Sequence, residues 1–145
     1  MVATDPDTER RSRENFGKQG FMRHIGATME VLKSGFCEIH LPFRAELSQQ
    51  HGYFHGGVIG AVADVASGYA AFSTLPADAT NVTVEFKLNL LAPAVGQRLI
   101  GRGSVLKAGR ILTVCRSDVF ALSDGVEKFV ATALATFIAI QPKDS

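Results

Sequence analysis

The spacing of apolar and polar positions changes character several times along the chain. From Thr8 to Lys18 charged residues dominate, with Asp7 or Thr8 where a helix N-cap would stand. This predicts a short surface helix that ends at Gly17 or Gly20. Residues 1–7 are expected to be disordered. From Ala27 the period shortens. Met29, Val31 and Leu32 lead to a turn at Lys33-Ser34-Gly35, after which Phe36, Cys37, Ile39, Leu41 and Phe43 interleave with Glu38, His40 and Pro42. That is a β-hairpin pattern. A polar, Gly-rich loop from Gln49 to Gly57 then runs into Val58–Phe72, which is apolar almost all the way round. A helix of that kind is buried. Pro76 to Ala79 reads as a stop and turn.

Beyond the turn the alternation is clean. Val82, Val84, Phe86, Leu88 and Leu90 alternate with Asn81, Thr83, Glu85, Lys87 and Asn89, a period of two. Three further strands are predicted, Arg98–Lys107, Ile111–Leu122 and Val126–Ala139, with turns at Ala108-Gly109-Arg110 and Ser123-Asp124-Gly125. Gly101 and Gly103 would allow a bend or a close approach. The predicted order is short helix, hairpin, long buried helix, antiparallel meander. One apolar helix against one curved antiparallel sheet is the economical packing, an α+β domain. Residues 1–20 are read as tail and short helix, and 21–145 as a single domain.

Composition narrows the function classes. The chain has 145 residues, 46% hydrophobic and 20% charged, with formal net charge +1. That balance gives no electrostatic case for nucleic acid or an anionic membrane as partner. No uncharged apolar run is long enough to span a bilayer, and Met1–Asn15 does not read as a secretory signal. Cys37 and Cys115 lie far apart in alternating segments, as buried free thiols of a cytoplasmic protein would. His24, His40, His51 and His55 offer no complete metal set, so no metal is expected. Gly101-x-Gly103 lacks the strand-to-helix context of a dinucleotide fingerprint, and no cofactor is implied. Arg10, Arg11 and Arg13 read as a solvated face, or as a reach toward an anionic ligand.

One residue disturbs the apolar helix. Gly60, Asp64, Ser67 and Ala71 are spaced to share a face of small residues that carries one carboxylate. A charge there is costly unless paired, hydrogen-bonded or protonated. Asp64 either bonds to loop backbone or is a catalytic carboxylate facing a pocket. Gly56 and Gly57 open the helix, where unpaired N–H groups and a partial positive charge suit an acyl oxyanion. The Gln49 amide is a candidate second donor. Eight residues of helix separate Gly56 from Asp64 by about 12 Å at about 1.5 Å per residue. One chain therefore cannot bring both to one carbonyl, whereas two copies related by a two-fold axis can. The small-residue stripe would let two such helices approach.

The stretch Gly52-x-x-His55-Gly56-Gly57, with Asp64 nine residues after His55, resembles the hotdog-fold acyl-CoA thioesterases, in particular the phenylacetate-pathway (PaaI-like) group. Asn81–Leu88, Pro93-Ala94 and Leu106–Arg110 look like that family too, and the resemblance covers about residues 20–140. It implies a curved antiparallel sheet wrapped around one long helix, and hydrolysis of an acyl-CoA thioester. Asp64 would be nucleophile or general base, and the Gly56 N–H would polarise the carbonyl. Gln49 stands where many PaaI-like members have Asn; related 4-hydroxybenzoyl-CoA thioesterases carry Gln there but use Glu in place of Asp64. Thr83 would help hold the attacking water, and His55 would orient the loop, with Gly57 and Ser67 also on the substrate side. Lys107 and Arg110 would meet the CoA phosphates, ahead of Arg98, Arg102 and Arg116. The family forms homodimers whose edge strands join, often paired into tetramers. Tyr53, Phe54, Tyr69 and Phe72 would suit an aryl or medium acyl chain. Two other readings stand beside this one. A hotdog hydratase or dehydratase needs a His paired with a carboxylate. A non-catalytic acyl-CoA-binding protein would be more stable with Ala at position 64.

Overall fold

The structure, a computed structural model, describes residues 1–141. The end of the expected domain, 142–145, lies outside them. The charged N-terminal stretch forms helix α1 (Pro6–Gly17), whose cap is Asp5 rather than Asp7 or Thr8. The Asp5 carboxylate accepts from the N–H groups of Asp7 and Thr8 at 3.1 and 3.0 Å. Pro6 fills the first helical position, where its missing N–H is no loss. The segment before it is tied down, not disordered: the Val2 carbonyl accepts from Ser34 N–H at 3.0 Å, and Ala3 bridges to Lys33. Helix α2 (Gly20–Ile25), unread in the sequence, ends on Gly26 at φ 84°, a left-handed turn that favours glycine.

Strands β1 (Thr28–Lys33) and β2 (Phe36–Pro42) form the expected hairpin. A single 3-10 turn at Ala45–Leu47 leads to the Gly-rich loop, and helix α3 covers Gly56–Phe72. Strands β3 (Thr80–Leu90), β4 (Arg98–Ala108), β5 (Leu112–Ser123) and β6 (Val126–Ile140) follow. Together they make one antiparallel sheet in the order β1-β2-β4-β5-β6-β3. The meander expectation is therefore corrected. Strands β4 to β6 do meander, but β3 pairs with β6 at the far edge while β4 pairs with β2. The connection after β3 crosses the end of the sheet to achieve this. Leu91 N–H bonds the Val130 carbonyl, Gln97 N–H the Leu122 carbonyl, and the Gln97 carbonyl takes Phe43 N–H, each at 2.8 Å.

The sheet curls around α3. Twelve of the helix's 17 residues are buried, and Val62, Ala63, Ala66 and Ala70 meet Ile39, Leu41, Leu99 and Val119 in the core. The contact is closest at β4. A Cβ on Gly103 would fall 2.3 Å from the backbone of Ala66, and one on Gly101 would fall 2.5 Å from Val62. The paired glycines let the helix backbone lie directly on the strand, the close approach their spacing suggested. Helix propensity does not hold α3 together, since interior glycines cost about 1 kcal/mol each. Burial does, at about 1.5–3 kcal/mol for each large aliphatic side chain.

Candidate active site

Four residues of α3 at a spacing of four, Gly56, Gly60, Asp64 and Gly68, lie along β3. Gly56 faces Leu90, Gly60 faces Leu88 and Phe86, and Gly68 approaches Phe137. Asn81 donates to the Gly68 carbonyl at 3.0 Å. The stripe read from the sequence is corrected at two positions. Ser67 and Ala71 are 0% and 1% exposed, and Ser67 lines no cavity with Asp64; its backbone abuts Gly103 instead. The stripe is also covered by its own β3, so the small residues accommodate that strand rather than a second helix.

Asp64 is half-buried, and its Oδ1 accepts a hydrogen bond from Thr83 Oγ1 at 2.8 Å. This contact depends on a break in strand periodicity. A β-bulge between Thr83 and Glu85 shifts the register against β6. Asn81 and Thr83 thereby share the helix-facing side with Phe86, Leu88 and Leu90. The unbroken alternation expected here would have turned Thr83 away with Glu85 and Lys87. Bulges commonly re-aim a side chain in this way. Burial raises the Asp64 carboxyl above its ordinary 3.8, and the Thr83 bond pulls partly back. Among the described residues no cation pairs with it. A poorly hydrated carboxylate with a free second oxygen is chemically suited to take a proton from water or to attack a carbonyl.

The loop before α3 is built to present one N–H. Phe54 is buried, edge-on to Phe43 at 5.1 Å, and its N–H bonds the Ala94 carbonyl at 3.0 Å. His55 N–H bonds the Leu47 carbonyl at 2.8 Å. His55 caps the helix, its Nδ1 accepting from Gly57 N–H at 2.8 Å. That nitrogen therefore carries no proton, and the ring is tied to the loop. Val58 and Ile59 N–H groups go to the His55 carbonyl. Gly56 N–H is left as the first-turn donor without a partner among the described residues. Gln49 Oε1 accepts from the N–H groups of His51 and Tyr53, which leaves its NH2 free.

These groups fall into two cavities. Gly56 and Gln49 line one of about 380 Å³, with Tyr53, Ile59 and Leu90. Asp64 and Thr83 line another of about 260 Å³. Its other walls include Asn15, Gln19 and Asn81, which the sequence reading missed, and Tyr69, which it read only as an apolar surface. No local signal marks Asn15 or Gln19; tertiary packing brings them there. Of the basic candidates, Arg102 is held by Glu38 and Glu127, Arg98 by His40 and Arg116 by Asp118. Lys107 and Arg110 are exposed and have no ion-pair partner among the described residues. Nor do those residues contain a group of three or more His, Cys, Asp or Glu side chains able to hold a metal ion, and none of their helices is long and apolar enough to cross a membrane.

Comparison with known proteins bears on the fold and the family. The family model described as the thioesterase superfamily matches residues 51–128. A protein of Saccharolobus solfataricus, provisionally named an esterase, is 31% identical over 121 residues, 83% of this chain and 78% of that one. A thioesterase family protein from Silicibacter pomeroyi superposes with a TM-score of 0.91 at 41% identity, over 92% of this chain and 98% of that one. The Escherichia coli PaaI protein shares the fold, with a TM-score of 0.80 at 19% identity over 92% and 94% of the two chains. The helix wrapped by its sheet and the span of the family match lead to one conclusion: the chain belongs to the thioesterase superfamily, as a hotdog-fold thioester hydrolase.

Proposed function

We propose that the chain hydrolyses acyl-CoA thioesters of aryl or medium acyl groups, with Asp64 as the reacting carboxylate. The observation that carries this reading is Asp64 itself, half-buried on an apolar helix, unpaired by any cation among the described residues and held by Thr83. As general base it takes a proton from water while the water oxygen bonds to the thioester carbon. As nucleophile it forms an anhydride that water then opens. In either case the carbonyl oxygen becomes an oxyanion, the C–S bond breaks, and the CoA thiolate leaves and takes up a proton. The free Gly56 N–H suits the oxyanion, and the free Gln49 NH2 offers a second donor. Exposed, unpaired Lys107 and Arg110 suit the CoA phosphates. Free, buried Cys37 and Cys115 fit a cytoplasmic setting. A hydratase would need a free imidazole beside the carboxylate, and His55 is committed to Gly57. Release of free thiol from a panel of acyl-CoAs tests the reading; no release from any member would end it.

The two cavities support a shared site in a homodimer. Strand β3 is an 11-residue edge strand with Val82, Val84, Phe86 and Leu90 all exposed. A long apolar edge of this kind is a template for pairing. Antiparallel pairing with the two-fold at Phe86 sets Lys87 opposite Glu85 of the partner subunit. It also brings the Leu90–Gly56 end of one protomer toward the Thr83–Asp64 end of its partner. Exposed Leu112, Val114 and Leu134 on the face turned away from α3 suit a further pairing of dimers. Glu85→Lys is expected to weaken the dimer roughly tenfold, since each cross-strand pair contributes about 0.2–1 kcal/mol and two change sign. Adding Lys87→Glu should restore it. Sedimentation equilibrium decides, and an unchanged dissociation constant in both variants would rule out this register.

Thr83→Val tests the carboxylate's partner. Loss of a hydrogen bond to the ionised form is expected to move the acid limb of kcat/KM to higher pH. An unmoved limb would detach Thr83 from the reacting group.

A further inference from the structure

We propose that His55 positions the oxyanion donor and does so only while its imidazole is neutral, so that one proton on a side chain outside the reaction lowers turnover. The inference rests on the assignment of the Gly56 N–H to the thioester carbonyl. The argument begins with the donors of the first turn of α3. A helix start leaves four N–H groups without an intrahelical partner. Three of them are placed here. His55 N–H goes to the Leu47 carbonyl at 2.8 Å, Val58 N–H to the His55 carbonyl at 3.1 Å, and Gly57 N–H to His55 Nδ1 at 2.8 Å. Among the described residues Gly56 N–H alone is left over. Gly56 lines the cavity of about 380 Å³, whereas Gly57 and His55 do not. His55 therefore touches no reacting atom; it decides which N–H the cavity receives.

The ring and Gly57 are matched to each other. A Cβ on residue 57 would fall 2.9 Å from His55 Nδ1 and 3.4 Å from Cε1. The imidazole lies against that backbone, and a side chain there would push it off its hydrogen bond. The ring thus needs glycine at 57, and the Gly57 N–H needs an unprotonated Nδ1.

A proton on Nδ1 turns the acceptor into a donor, and two N–H groups then face each other. Turning the ring over gives no relief, because both nitrogens of the cation carry protons. The new charge also stands at the positive end of the helix. No ion pair offsets it. The titratable side chains on the elements around His55 are Arg44 and Glu46 at the 3-10 turn, His51 and Tyr53 in the loop, and Asp64 further along α3. Residues 91–97 of the connection after β3 carry none. Glu85 and Lys87 of β3 line cavities on the opposite face of the sheet. None of these forms an ion pair with His55 among the described residues. Imidazole is the side chain that gains a proton in mild acid. When it does, Gly57 N–H is released, and the turn that aims Gly56 N–H loses a fixed point.

The test uses the full chain, an acyl-CoA that it cleaves, and rate profiles from about pH 5 to 9. At the alkaline end His55→Ala should lower kcat by about three- to thirty-fold, the factor one helix cap contributes, with KM changed little. His55→Asn, whose amide caps a helix but takes no proton, should recover most of that loss. Toward acid the wild type should fall off more steeply than His55→Asn, so the ratio of variant to wild type should rise by the same factor. A ratio independent of pH, or full kcat in His55→Ala, overturns the inference while the thioesterase reading stands. Nitrogen-15 NMR of the wild-type chain reads the latch without turnover. The Gly57 amide and His55 Nδ1 should shift with one common midpoint as pH falls. A Gly57 amide indifferent to the His55 titration overturns the inference. If no acyl-CoA is cleaved, the proposed substrate class has failed instead, and the NMR titration alone decides on the latch: a shared midpoint supports it, and independent behaviour overturns it.

Discussion

Asp64→Asn is expected to lower thioester turnover by roughly 10²–10⁴-fold, the usual scale for a catalytic acid–base group, while the fold is kept and stabilised. Asn retains the size of Asp and can still accept from Thr83, but it supplies neither base nor nucleophile. The stability gain has a pH signature. Burial raises the Asp64 carboxyl in the folded state. Between its ordinary 3.8 and the raised value, the folded chain binds the proton more tightly than the unfolded chain. Wild-type stability contributed by this group therefore falls as pH rises through that window. The advantage of Asp64→Asn should be largest at neutral pH and vanish toward acid. Denaturant melts at a series of pH values measure it. Mixing Asp64→Asn with Gln49→Ala examines the shared site: a mixed dimer regains one intact site of two only if the residues come from different protomers. Near-normal turnover in Asp64→Asn would make the carboxylate structural and remove the main chemical support for its role.

Gly103→Ala is expected to be the most damaging single-methyl change. The added Cβ would sit 2.3 Å from the Ala66 carbonyl carbon and oxygen and 2.5 Å from Ser67 N. These are backbone atoms of α3, so no side chain can swing aside. The helix must lift from β4 or the strand must bend. A loss of more than about 3 kcal/mol follows, beyond ordinary overpacking, with Tm lowered by roughly 10 °C or more. Gly17→Ala is the control, because nothing lies within 4 Å of its Cβ position at the end of α1. It should be neutral or slightly stabilising. A thermal melt of Gly103→Ala within a degree or two of wild type would show that the helix–strand contact is looser than its geometry.

Local periodicity and turn chemistry determined most of the architecture in the sequence itself. Apolar residues all round Val58–Phe72 require a buried helix, which begins two residues earlier at Gly56, and Ser123-Asp124-Gly125 requires a turn; the strands fall within a residue or so of their predicted bounds, whereas α2 went unread. The chemistry of the central stretch was legible for the same reason. A carboxylate on an apolar helix and glycines at its N-terminus are local facts, and their axial separation follows from helix geometry alone.

What only the tertiary structure decided are the features set by partners distant in sequence. The bulge that turns Thr83 onto Asp64 exists because β3 must keep register with β6; alternation along β3 alone says the opposite. The placement of β3 at the edge beside β6 depends on a connection that crosses the sheet end, which strand patterns do not encode. The helix stripe follows the line of β3, so Gly68 belongs to it and Ser67 does not, although both spacings share a helix face with Asp64. Asn15 and Gln19 reach the Asp64 cavity because Arg11 and Arg13 bind backbone carbonyls far along the chain. Backbone carbonyls carry no residue identity, and no sequence pattern announces which of them an arginine will find.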